Sequence, residues 1–537
     1  MRPFFRSWIL LPLAVVALVI WLQSLRLNRV QQLTALPQWS VDAPAPDRAS
    51  PTGYAGGLRN LVVSDPTGRS QQWIAQTQQM LADGTWQVRH VDYDNAPSGR
   101  ETRLPSLYRG WLGSLARLYA AVTGDPAGVA VEHVALHADP LLQLLLVLLT
   151  TWFVYRRFGT FAALIVAVAI VTIYPFATAF LPGAPDSQGL AEAFALWSVL
   201  PLVAGLWLAA NPHATATRRM RTDFASAAIA AALGLSVSLN TQLTVLAGVA
   251  LGALAAAWCA RADANAFAPP WRLWGLSGCV ASLAIYMLEH FPAHLSLRLD
   301  GNHPLYALGW LALGELLQRS TEWIQLRRLP RDRGTWLTGG AALLGLFAIG
   351  ATAVALRANP FAADLSLSRL TRLGDGVAAE NLLRWFAADG VHPRVWATLL
   401  PAVFLLAACI PLAFRIETGP RRAALALALG PAAVTFLLSL GMLRWWNTFD
   451  AVAIAALAVA TASAPRTVLA RPWAWALGTT VVAAFGLLQL IPPRTTFSQD
   501  EFTPAEMQAL MERDLAHSLA QRRPDAVVLA PPNLTTS

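Results

Sequence analysis

Thirteen apolar runs, most of near-membrane length, recur along this 537-residue sequence. A hydrocarbon core about 30 Å thick takes roughly 20 helical residues to cross. Inside it every backbone polar group must find a partner within the segment, so uninterrupted runs of this kind form α-helices. The expected fold is all-α and polytopic, with about 13 transmembrane helices. The first run, residues 8–25, follows Arg2 and Arg6, and no small-residue cleavage site comes after it. It reads as a retained helix with its N-terminus in the cytoplasm. The other cores lie near 141–155, 161–180, 190–210, 224–239, 243–259, 273–288, 305–317, 336–356, 395–414, 423–442, 446–464 and 473–491.

Charge gives these runs a direction. Only 13% of residues are charged and the mean hydropathy is +0.46, against roughly 25% charged in soluble domains. The formal charge of +9 comes entirely from arginine. In a membrane protein such a balance reflects cytoplasmic loops, which collect basic residues, and not nucleic-acid binding. With the N-terminus inside, alternate loops carry Arg156 and Arg157; Arg218, Arg219 and Arg221; Arg261 and Arg272; Arg327, Arg328, Arg331 and Arg333; Arg415, Arg421 and Arg422; and Arg466 and Arg471. The short loops between them are poorer in arginine, which predicts an odd number of spans and an outer C-terminus.

Four segments follow: a first transmembrane helix (1–28), a large first outer loop (29–139), a polytopic membrane domain (140–492) and an outer tail (493–537). In the outer loop Leu107, Trp111, Leu115, Leu118 and Val122 recur at helical spacing, with Arg109 and Arg117 off the stripe. This pattern suits a helix lying on the membrane surface. In the tail, Thr503 and Glu506 have capping-box spacing and should open a helix to about Arg523. Residues 525–530 read as a strand start. One helix and one strand bury no core, so the tail is expected to begin a soluble domain that was lost or truncated. Cys259, Cys279 and Cys409 lie in apolar stretches without metal-ligand spacing.

Acidic residues at a membrane need a reason, and this topology puts several on the outer side. Asp92 and Asp94 flank Tyr93 in the first outer loop, ahead of Arg100. Asp186 and Gln188 follow Pro185 in the second, Glu380 lies in a later loop, and Arg444 ends another helix beside Trp445 and Trp446. Converging carboxylates form an oxygen site for a hard divalent cation, Mn²⁺ or Mg²⁺. A cation and an arginine together suit a phosphate leaving group. Each residue also has a plainer role. Asp92 to Pro97 could be an Asx-type turn, Asp186 a helix cap, Glu380 a solvated helix residue and Arg444 an interfacial anchor. Glu289, His290, His294 and His303 share one outer loop. Pro292 breaks the helix that the spacing of His290 and His294 would need for a metal, so Glu289, His290 and His303 read as substrate-lining or structural.

In their order and sidedness these loops resemble the catalytic subunit of oligosaccharyltransferases, which are GT-C glycosyltransferases. The resemblance spans most of the membrane region. It implies thirteen transmembrane helices and transfer of a sugar or oligosaccharide from a polyprenyl phosphate or pyrophosphate donor on the non-cytoplasmic side. By resemblance, Asp94 (or Asp92) matches the first-loop catalytic Asp and Asp186 opens the second-loop acidic motif. Glu380, in Val-Ala-Ala-Glu-Asn, matches the late-loop Glu, and Arg444 matches the arginine that binds the lipid phosphate; Arg100 is a second phosphate candidate. Gln188 stands where that second motif has an acid, and the Trp-Trp-Asp motif that reads the acceptor sequon is missing. The implied localisation is a bacterial inner membrane with a periplasmic site. The implied partners are a lipid-linked sugar, membrane lipids and an acceptor left open. A transporter or flippase of lipid-linked sugars would need polar residues at mid-membrane, and the helix cores read as nearly free of charge. An inactive scaffold of the same ancestry is the third reading.

Overall fold

The computed structural model describes residues 2–38, 44–63, 69–93, 97–102, 104–209, 214–261, 268–291, 299, 301–326, 333–355, 381–390, 392–415, 419–463, 471–491 and 502–522. Among these it contains 18 α-helices and one short antiparallel hairpin, β1 (His90–Val91) with β2 (Arg100–Glu101). The protein is an all-α polytopic membrane protein. Each apolar run lies on a helix, and 8 helices among the described residues are long and apolar enough to cross a membrane. Three of the expected spans fall outside this set for visible reasons. Thr160–Thr172 is a short helix of 13 residues. Ala214–Val237 carries Arg218, Arg219, Arg221 and Asp223 in its first half, and Pro304–Leu326 carries Glu315, Arg319 and Glu322.

The chain divides into two compact units. The larger comprises residues 1–15, 146–177 and 190–490. Its helices meet through small residues. A side chain added at Gly252 in α9 (Leu239–Ala260) would lie 2.5 Å from the Leu427 carbonyl of α15 (Gly419–Gly441), and one at Gly430 in α15 would lie 2.4 Å from the Gly248 carbonyl. Between α10 (Trp271–His290) and α11 (Pro304–Leu326), Gly275 and Gly314 touch backbone to backbone, beside an edge-to-face series of Trp271, Trp274 and Trp310. Such close approach is how helices associate in lipid, where apolar burial favours no partner over the acyl chains.

The smaller unit comprises residues 16–145, 178–189 and 491–537. It holds α2 (Arg69–Asp83), α3 (Ser106–Thr123), α4 (Ala127–Ala135) and α18 (Pro504–Arg522) around an apolar core that includes Leu61, Ile74, Leu112, Val131 and Ala135. α3 starts after Pro105 and ends on Gly124 at φ 79°, whose N–H caps the Ala120 carbonyl, the left-handed stop that glycine makes cheaply. Its protein-facing side lies beside the expected surface stripe. Tyr108, Arg109, Leu112 and Ala116 are buried, while Leu118 and Val122 are exposed. The predicted capping box is formed: Thr503 N donates to Glu506 Oε2 (2.9 Å) and Glu506 N to Thr503 Oγ1 (3.2 Å). The helix it opens is docked within this unit. Arg29 forks onto Glu506 through two 2.8 Å bonds, Arg513 donates to the Thr34 and Leu36 carbonyls, and His517 Nε2 lies 2.7 Å from the Arg59 carbonyl.

Candidate active site

Asp186 sits on a loop shaped by its own sequence. Gly183, at φ 75°, turns the chain after Pro182, and Gly189 brings the next helix, α7 (Gln188–Leu208), against the Ala179 carbonyl where any side chain would clash. Asp186 is half-buried two residues ahead of Gln188, the first residue of α7. Its backbone N–H donates to Asp139 Oδ2 at 3.1 Å, and Ser187 Oγ lies 3.4 Å from its Oδ1. Asp139, in the first turn of α5 (Ala138–Phe158), is 1% exposed. Its other oxygen accepts from Tyr108 Oη at 2.7 Å. Tyr108 packs edge-to-face on Trp73. Burial, then the neighbouring Asp139 carboxylate, push its phenol well above the ordinary range, so it remains a donor at working pH.

The hairpin of β1 and β2 is tied to the neighbouring residue of α3. Arg109 donates to Gln76 Oε1 at 2.8 Å and to Ser106 Oγ at 3.0 Å. The same Gln76 oxygen accepts from Thr102 Oγ1 (3.0 Å), and Gln76 Nε2 donates to Tyr93 Oη (3.1 Å). α3 therefore anchors two acidic loops through consecutive residues, Tyr108 to the second and Arg109 to the first. Asp92 points outward, 92% exposed, with His90 Nε2 3.3 Å away. Arg100 is exposed on β2. Asp94 and Glu380 lie outside the described residues, as does His294.

Deeper in the smaller unit, Glu132 of α4 accepts from Asn60 N and Leu61 N, at 3.1 and 2.9 Å. Burial pushes it from 4.5 to about 7 against those bonds and the Arg59 charge.

In the larger unit Arg444 immediately precedes α16 (Trp445–Ala462), its guanidinium 4.9 Å from the Trp445 ring centre. Its charge acts on Glu192 of α7, whose Oε1 accepts from Thr448 Oγ1 at 2.8 Å. Glu192 and Asp450 are both 2% exposed. This corrects the expectation of helix cores nearly free of charge: two acids sit inside helices, each within the first two turns and not at mid-helix. Tyr286 joins two of the other candidates, with His290 4.7 Å and His303 6.3 Å away between ring centres. His303 Nδ1 accepts from Leu305 N, which suits a helix start. Glu289 is half-buried at the end of α10. Among the described residues no three His, Cys, Asp or Glu side chains are grouped as a metal site. The donor chemistry of Asp186 and Gln188 nevertheless fits part of a hard-cation shell, two oxygen donors at one helix mouth.

Sequence reading missed Asp139, Tyr108, Glu192 and Asp450. An acid within an apolar run was the available signal for Glu192 and Asp450. Asp139 closes the outer loop in the sequence and gives no sign that its partners are 31 and 47 residues away.

No protein-family profile matches the chain, and none of the curated proteins does. Solved structures of the Archaeoglobus fulgidus oligosaccharyltransferase match it. A complex with Zn and sulfate aligns at TM-score 0.54 and 14% identity, covering 96% of this chain and 56% of its own. A form tethered to an acceptor peptide containing the NVT sequon aligns at 0.54 and 16%, covering 96% and 57%. A complex of this enzyme, AglB, with an inhibitory peptide and a dolichol-phosphate aligns at 0.53 and 16%, covering 99% and 56%. The chain spans just over half the length of these proteins. Over nearly its whole length the chain therefore shares the fold of these oligosaccharyltransferase structures.

Proposed function

We propose that this protein is a GT-C glycosyltransferase. It moves a sugar or oligosaccharide from a polyprenyl-(pyro)phosphate donor to an acceptor on the non-cytoplasmic side of a bacterial inner membrane. The observation that carries this reading is the shared fold over at least 96% of the chain. The setting of Asp186, a partly exposed acid on a buried anchor at a membrane-helix mouth, supports it. Membrane embedding suits a donor whose lipid tail cannot leave the bilayer.

Asp186 and Gln188, with Asp94 and Glu380 from the other loops, would hold a divalent cation. When bound, the cation would neutralise charge on the departing phosphate oxygens. Arg444, pre-oriented against Trp445, offers a guanidinium to the same phosphate, and Arg100 is a second candidate. Glu289, His290 and His303 line the substrate path. An acceptor peptide occupies one archaeal structure, and an inhibitory peptide with a dolichol-phosphate another, so a sequon peptide is the first acceptor to test.

Purified protein in liposomes, given a labelled polyprenyl-linked sugar and a peptide, should transfer label in Mn²⁺ or Mg²⁺. It should stop in EDTA and in Asp186→Ala, the variant keeping its expression and melting temperature. Undiminished transfer by Asp186→Ala in EDTA would remove the metal-assisted reading. Movement of the lipid across the bilayer without transfer would point to a flippase.

A further inference from the structure

We infer that Asp139 is a positioning residue for this site: it holds the Asp186 main chain, and so sets where the Asp186 carboxylate stands. The inference rests on the glycosyltransferase reading above only for its catalytic consequence.

A fully buried carboxylate is costly unless its lone pairs are used. Both oxygens of Asp139 are used, and by neutral donors: the Tyr108 hydroxyl on one and the Asp186 N–H on the other. Among the described residues no cation pairs with it. A carboxylate, ionised or protonated, keeps an acceptor for the Asp186 N–H and serves the Tyr108 hydroxyl with its other oxygen. Asparagine can do the same, its carbonyl accepting from the Asp186 N–H and its NH₂ donating to the Tyr108 oxygen. The geometry thus requires a hydrogen-bond acceptor at 139, not a charge at the surface. Its surroundings are stiff as well. Asp139 opens α5, Trp111 Nε1 of α3 donates to the adjacent Ala138 carbonyl at 3.3 Å, and Tyr108 is wedged on Trp73. The Asp186 loop is thereby fastened to α3, not left to its own turn.

Two readouts test this, one independent of activity. In hydrogen–deuterium exchange of the full-length protein, overlapping peptides should show the wild-type Asp186 amide protected, although it lies in a loop. Asp139→Ala should remove that protection while residues 190–208 keep theirs, and Asp139→Asn, which retains an acceptor, should keep it. In transfer assays Asp139→Ala should raise the half-saturating Mn²⁺ concentration by about tenfold or more, the usual size of an outer-shell loss, with the KM for donor changed little. A merely structural role would lower the melting temperature without moving the Mn²⁺ requirement. A wild-type Asp186 amide exchanging as fast as exposed loop amides overturns the inference without any variant. So does an Asp139→Ala protein whose Asp186 exchange is unaltered, or an active one whose Mn²⁺ requirement is unaltered. If the wild type transfers nothing with any metal, the enzymatic reading falls, and the exchange result alone decides whether Asp139 holds Asp186.

Discussion

In the larger unit, Gly248 and Gly252 of α9 lie against Leu427, Gly430 and Pro431 of α15 with no room for a methyl group. In the smaller unit the tightest features are polar: Arg109, Glu132, Asp139 and His517 are each at most 4% exposed and each is hydrogen-bonded. One region is held by backbone contact and the other by a directional network. Lipid-facing helices can only gain by approaching closely. A region that must set acidic loops at defined positions needs bonds with direction. Substitutions should therefore act by volume in the first and by hydrogen-bonding capacity and pH in the second.

The largest effect is expected at Gly430→Val. The new Cβ would meet the Gly248 carbonyl at 2.4 Å and Gly252 Cα at 2.5 Å. Both neighbours are backbone, so relief needs helix separation, at a cost above the ~1–3 kcal/mol of ordinary overpacking. Size-exclusion profiles after heating in detergent should show little folded protein. A near-normal melting temperature would break the contrast.

Glu132 gives the next effect. Its folded value, about 7, is above its ordinary 4.5. The folded state thus holds an extra proton between these limits, and stability falls as pH rises through that window, by about 3 kcal/mol in total. Melting temperatures of the wild type should drop between pH 5 and 7. Glu132→Gln should flatten that slope, and an unchanged slope would reassign it.

His517 works in the opposite direction. Burial holds its folded value below 6.5, so the unfolded chain protonates first and stability is lost as pH falls below 6.5. His517→Ala leaves the buried Arg59 carbonyl without its partner, at a cost of roughly 1–3 kcal/mol. It should also release α18 to limited proteolysis. The smallest effect is expected at Arg272→Gln. Its pair with Glu315 is 2.7 Å long, but Arg272 is 54% exposed, so the change should cost less than ~1 kcal/mol. A larger loss would show that charge also holds the larger unit.

Much of the fold was legible in the sequence because hydropathy and capping are local. Each apolar run is helical, Thr503 and Glu506 form their box, and Asp186 stands just ahead of its helix. α3 was legible from its apolar period, but its protein side was not: Arg109 is buried because Gln76 and Ser106 supply acceptors. Glu192 and Asp450 escaped notice for a similar reason. Thr448, the partner that lets Glu192 sit within a helix, is 256 residues away.

Hydrocarbon-length runs, arginine placement and cap residues by themselves determined that this chain is a helical membrane protein, since those signals act over a few turns. Only the tertiary structure decided which acid holds which. Asp139 owes its role to Tyr108 and Asp186, which folding brings to its two oxygens from different parts of the chain. No periodicity encodes such a meeting.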